Sequence, residues 1–140
     1  MTGFIDTSSL FKKYVQEKGF QKFKKVLNTL ENVQISPITF IELHKAVKNR
    51  LERQIITYKE SQILSEEINR DYSFFRVVQW NSMLEKTAVY LVNMYNLKTL
   101  DSIQLASGIL SEADKFITSD KQLYKAAQKE VSKAILIECY

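Results

Sequence analysis

Residues 3–15 read GFIDTSSLFKKYV. The run Gly3-Phe4-Ile5 is short and apolar, which suits a strand buried on both faces. Thr7, Ser8 and Ser9 are helix-start residues, because their hydroxyls take up the free N–H groups of a first turn. Between strand and helix stands a carboxylate, Asp6. In an open parallel sheet, ligands are held beyond the carboxyl ends of the strands. Fold and function are therefore both written into this one hand-over.

The pattern repeats downstream. Leu10, Tyr14 and Val15, then Phe20, Phe23, Val26, Leu27 and Leu30, keep helical spacing, and Gly19 divides them into two helices. Residues 33–36 suit a second strand, and Pro37 suits the start of a helix through Ile41, Leu43, Ala46, Val47 and Leu51 that carries Glu42. A polar amphipathic helix is expected over 55–70. Residues 71–80 fit either a strand or a buried helical turn, and helical spacing resumes over 81–95. Thr99 is a candidate cap for a helix over 100–110 whose apolar residues run nearly all the way round, as in a buried helix. A strand over 115–118, a helix started by Ser119 or Asp120, and a last strand over 134–138 complete the chain. Strands alternating with helices predict an α/β fold with a parallel sheet and helices on both faces.

The 140 residues, 45% hydrophobic and 26% charged, describe one globular domain over 1–140, and 3 Gly with 1 Pro leave no linker. A net charge of +4 is compatible with an anionic partner without establishing one. A single cysteine, Cys139, excludes an internal disulfide, and with a single histidine, His44, a zinc site of nitrogen and sulfur ligands is not expected. No signal peptide and no membrane span is recognisable, so the expectation is a soluble cytoplasmic protein.

Four acids fall in short apolar contexts: Asp6 in GFIDTSS, Glu42 in ITFIELHKAV, Asp101 in LDSIQLAS and Asp120 in FITSD. Singly, Asp6 and Asp120 also read as helix caps and Glu42 as a solvated helix position. Asp101, on an apolar helix between Leu100 and Leu105, needs a partner or a metal. Jointly, clustered carboxylates repel, and a hard cation such as Mg²⁺ or Mn²⁺ offsets that repulsion. Thr7, Ser8 and Thr118 are placed to orient them.

These four segments, in order and over nearly the whole chain, resemble the motifs of PIN-domain nucleases, and the size resembles the VapC-type toxins of type II toxin–antitoxin systems. The resemblance implies a three-layer α/β/α fold with a central parallel sheet of four to five strands. It implies that Asp6, Glu42, Asp101 and Asp120 form the catalytic and metal-binding quartet, with Thr118 as the small hydroxyl residue before the fourth acid. One or two Mg²⁺ or Mn²⁺ ions would bind the scissile phosphate of RNA and activate a water, leaving 5′-phosphate and 3′-hydroxyl ends. A small antitoxin partner is implied as well. Homodimerisation is expected on the resemblance together with an aromatic surface at Phe11, Tyr14, Phe20 and Phe23, residues that read equally as core.

His44 is expected at the surface, not as a general base. Lys12, Lys13, Lys45, Lys48, Arg50 and Lys121 are candidate contacts to an RNA backbone, or simply solvated helix faces. A haloacid-dehalogenase-type phosphatase would need an Asp where Ser8 stands, and a response-regulator receiver would need an acidic pair on the first strand. The remaining alternatives are a non-catalytic PIN-like module that binds RNA or protein, and an RNA-processing nuclease outside a toxin system.

Overall fold

The computed structural model describes residues 1–138, so Cys139 lies outside the described residues. Strands β1 (Thr2–Ile5), β2 (Asn32–Ile35), β3 (Arg76–Val77), β4 (Lys115–Thr118) and β5 (Ala134–Leu136) form one sheet in the order β3-β2-β1-β4-β5. Every pairing is parallel. Around it run α1 (Thr7–Leu10), α2 (Phe20–Leu27), α3 (Thr39–Glu52), α4 (Tyr58–Tyr72), α5 (Ser82–Tyr95), α6 (Thr99–Ser111) and α7 (Lys121–Glu130).

Strand alternation sends successive side chains to opposite faces, and two cores result. Phe4 and Phe116 point into the core built with α5, α6 and α7, their rings stacked at 5.4 Å. Ile5, Ile35 and Ile117 point into the other core, with Leu10, Phe23, Leu43 and Ile68 from the opposite helices. This is the three-layer architecture with five parallel strands.

The local readings hold in kind, with shifted ends: α4 starts at Tyr58, β5 stops at Leu136, and Pro37 lies in the turn before α3; three further points differ. After α1 the chain does not continue as an α-helix but tightens into one 3₁₀ turn, Phe11–Lys13. Thr99 makes no cap bond: Lys98 precedes the first turn of α6 and Thr99 lies inside it. The ambiguous 71–80 region is shared, with α4 ending at Tyr72 and only Arg76–Val77 paired in the sheet. Gly19 does divide two helices, at a φ of 91° that favours glycine.

Phe11, Tyr14 and Phe23 are buried core residues and Phe20 is half-buried, so three of the four aromatics expected to form a dimer surface are not at the surface. Lys12 is buried too, its ammonium held by Glu17 at 3.2 Å and the Lys18 carbonyl at 2.8 Å, which removes it from the candidate RNA contacts. No helix among the described residues is long and apolar enough to cross a membrane.

Gly108 lets α6 lie directly on the sheet. A Cβ there would run into the Phe116 ring and come within 3.2 Å of Phe4. Replacing glycine by alanine in a helix ordinarily stabilises by about 1 kcal/mol. At position 108 the clash with a buried ring dominates. Gly108→Ala should therefore lower stability by about 1–3 kcal/mol, read as a lower urea midpoint at unchanged m; a raised midpoint would contradict the tight α6–sheet contact.

Candidate active site

The four acids converge on the carboxyl ends of the strands. Asp6 follows β1 directly, and Asp120 lies just beyond β4. Glu42 and Asp101 sit in the first turns of α3 and α6. All four line one cavity of about 580 Å³, shared with Thr7, Ser8, Lys45 and Gln104.

Asp6 is the most enclosed of them, 3% exposed. Ser8 Oγ reaches both of its oxygens, at 2.8 and 2.9 Å, Ser9 N–H donates to Oδ1 at 3.0 Å, and Thr118 Oγ1 donates to Oδ2. Each of these bonds favours the ionised carboxylate, but burial outweighs them. Its pKa is pushed up to about 6, first by burial and also by the neighbouring charge of Asp120. The donors are themselves fixed. Thr118 Oγ1 accepts from Asp120 N–H at 3.0 Å, and Ser8 Oγ accepts from Ser119 N–H at 3.0 Å.

The cap readings are also correct in geometry. Asp6 caps α1 through Ser9 N–H, and Asp120 caps α7 with Oδ1 accepting from Leu123 N–H at 2.9 Å. Glu42 is not merely solvated. Its Oε1 accepts from Thr7 Oγ1 and from Gln104 Nε2, each at 2.7 Å. Gln104 Nε2 also lies 2.9 Å from Thr7 Oγ1 and 3.1 Å from Thr39 Oγ1, while its buried Oε1 has no partner. The amide is thus turned to serve Glu42, since the opposite orientation would set its oxygen against a carboxylate.

Asp101 differs from the other three. It is half-buried, and among the described residues its carboxylate accepts no hydrogen bond. Burial raises its pKa, followed by the charge of Asp120; Lys98 opposes the shift, and Glu42 adds to it.

Among the described residues, no three His, Cys, Asp or Glu side chains stand close enough together, as placed, to hold a metal ion. The donor chemistry nonetheless suits a hard divalent cation: the cavity supplies carboxylate and hydroxyl oxygens, and no sulfur or imidazole. His44 is turned away, its Nε2 2.9 Å from Asn69 Oδ1 and its ring against Phe40.

Of the candidate cations, Lys45 lines the cavity. Lys13 pairs with Asp71, Arg50 with Glu17 at 2.8 Å, and Lys48 with Glu52 at 3.7 Å. Lys121 is exposed in the first turn of α7.

Fold and site define a class: a parallel α/β protein with carboxylates gathered beyond the strand ends. A family model described as PIN domain matches residues 3–129, and the chain belongs to the PIN-domain family, which is generally one of nucleases. Among solved structures, the chain is similar to a toxin–antitoxin complex from Klebsiella pneumoniae at TM-score 0.73 and 18% identity, covering 99% of both chains. It is similar to FitAcB from Neisseria gonorrhoeae at TM-score 0.71 and 15% identity, covering 95% of this chain and 96% of that one. It is also similar to VapBC-1 from nontypeable Haemophilus influenzae at TM-score 0.65 and 16% identity, covering 97% and 98%. No curated protein matches the sequence.

Sequence reasoning missed Gln104, Lys98 and the apolar lining of the cavity. A signal was present for some of these. Ile38, Ile41, Lys45, Ala46 and Asn49 share the helical face of Glu42, and Gln104 lies one turn from Asp101.

Because the folded state raises the Asp6 pKa from 3.8 to about 6, it binds the proton more tightly than the unfolded chain does. Stability from this group is present below pH 4 and is lost as pH rises through 6. In chelator, Asp6→Asn should be more stable than the unaltered chain at pH 7 by about 1–3 kcal/mol, with the difference vanishing near pH 4. Urea titrations at the two pH values check this; a variant less stable at pH 7 would show that the hydrogen bonds outweigh burial.

Proposed function

We propose that this chain, as a single PIN domain over residues 1–140, is a Mg²⁺- or Mn²⁺-dependent endoribonuclease, the toxin of a type II toxin–antitoxin pair. The observation that carries the reading is Asp101: half-buried, without a hydrogen-bond donor, and crowded by Asp120 and Glu42. Lys98 offsets part of that crowding, and a bound cation would offset the rest. Asp6 and Asp101 are the direct ligands, with Glu42 and Asp120 ligating or holding water. Thr118 and Ser8 orient Asp6, and Thr7 with Gln104 orients Glu42. When bound, such an ion lowers the pKa of a water and offsets the charge of the phosphate.

The antitoxin partner rests on the fold shared with the Klebsiella toxin–antitoxin complex and with the Neisseria and Haemophilus proteins. A cytoplasmic location belongs to the same reading. Homodimerisation, no longer supported by the aromatics, is supported by the exposed Met83, Tyr90 and Met94 along one face of α5. A second reading, a non-catalytic module, is favoured by the cap bonds that already employ Asp6 and Asp120.

Cleavage of RNA by purified protein separates the two. Asp101→Asn should abolish Mg²⁺-dependent cleavage while the protein stays folded, and Gln104→Leu should reduce it about 10- to 100-fold. Cleavage by Asp101→Asn at the unaltered rate would sink the assignment. Met94→Glu should shift a sedimenting dimer to monomer, and a chain that is monomeric at high concentration before substitution would remove the dimer.

A further inference from the structure

The cavity that holds the acids is mostly apolar in its walls, which phosphate chemistry does not require. Ile41 precedes Glu42 on α3 and is 71% exposed; Leu100 precedes Asp101 on α6 and is 51% exposed. Single exposed aliphatic residues are ordinary. Here, however, two separate helices each place one beside its acid, and both line the same cavity, backed by Ile38 and Ala46. On the next turn of α3, Lys45 lines that cavity as well. Carboxylates for a metal-bound phosphate, an ammonium for an anion, and apolar side chains in the same cavity match one occupant: a nucleotide of an RNA chain.

We infer that Ile41 and Leu100 form an apolar clamp that grips a nucleobase flanking the scissile phosphate, with Lys45 holding an adjacent phosphate. This rests on the ribonuclease reading and adds to it the residues that select the substrate. Nucleobases have apolar faces and are held between aromatic or aliphatic side chains when taken out of a stack. In an A-form duplex those faces are covered by neighbouring bases and the major groove is closed to side chains. The clamp therefore admits an unpaired nucleotide and turns away a duplex. A protein partner would use the same wall differently. It would set an apolar side chain on Ile41 and Leu100 and need a cation of its own for the acids, and it would leave Lys45 without an anion.

The test compares the unaltered chain with Ile41→Ser, Leu100→Ser and the double variant. Fluorescence anisotropy in Ca²⁺ would follow three labelled probes: an unstructured RNA, its duplex, and a ribose-phosphate oligomer of equal length lacking bases. Both positions are exposed, so folding should be retained, as circular dichroism would verify. The clamp predicts that the unaltered chain prefers the unstructured RNA. It also predicts that the double variant loses about tenfold or more in affinity for that probe, while binding the base-free oligomer as before. Equal loss on both single-stranded probes, or no loss on either, would overturn the clamp. So would retained RNA affinity together with lost binding of the protein encoded beside this gene, an outcome that assigns the wall to a protein. Failure of the unaltered chain to bind or cut any RNA marks the failure of the ribonuclease reading itself, whereas cutting that is indifferent to both substitutions sinks the clamp alone.

Discussion

A carboxylate buried at the end of the first strand is the constraint on which the rest of this structure depends. Asp6 loses nearly all contact with water, and the cost is visible in a pKa pushed up to about 6. The chain meets that cost with donors from two segments far apart in sequence. Ser8 and Ser9 come from the turn that follows, and Thr118 comes from the end of β4. Because Thr118 also accepts from Asp120 N–H, and Ser119 N–H donates to Ser8, the two strand ends are tied at several points. A burial problem at one residue thus fixes where β1 and β4 end and where α1 and α7 begin.

The same economy extends to α6. This helix can approach the sheet because Gly108 offers no side chain against Phe116 and Phe4. That approach brings its first turns over the strand ends, where Gln104 reaches across to Thr7, Thr39 and Glu42. One amide therefore joins α6, α1 and α3, and one turn earlier the same helix projects Asp101. An orphaned Gln104 Oε1 is the cost of orienting the amide toward a carboxylate.

The readable parts of the fold were those governed by local rules. Strand–acid–helix junctions at Asp6 and Asp120 could be placed because capping chemistry and apolar runs act over a few residues. The pattern of residues 115–118 alone marks a strand, and β4 occupies those positions. Parallel pairing followed from alternation, and five strands fell within the expected range. Long-range relations were not readable. Lys12 looks like any surface lysine, and only the folding back of Glu17 and Lys18 buries it. Phe11, Tyr14 and Phe23 have the spacing of a helix face, but spacing does not say whether that face meets the core or a partner. Gln104 shows its place one turn from Asp101 but not its role, because its partners Thr7, Thr39 and Glu42 lie on other elements.

The site was legible as a set of residue types, less so as an arrangement. Three of the four acids have structural employment: Asp6 and Asp120 cap helices, and Glu42 accepts from Thr7 and Gln104. Those bonds hold the carboxylates in place, and as placed the described residues form no ready-made ligand cluster. They also orient the oxygens, so a cation entering the cavity would meet side chains whose freedom is already spent. Asp101 alone has no such employment. Its position on an apolar helix made it hard to explain from the sequence, and in the fold it remains without a donor beside two other acids. Lys98 offsets part of that charge, but one lysine faces two acidic neighbours, and the remaining charge is best accounted for by a cation the chain itself does not supply.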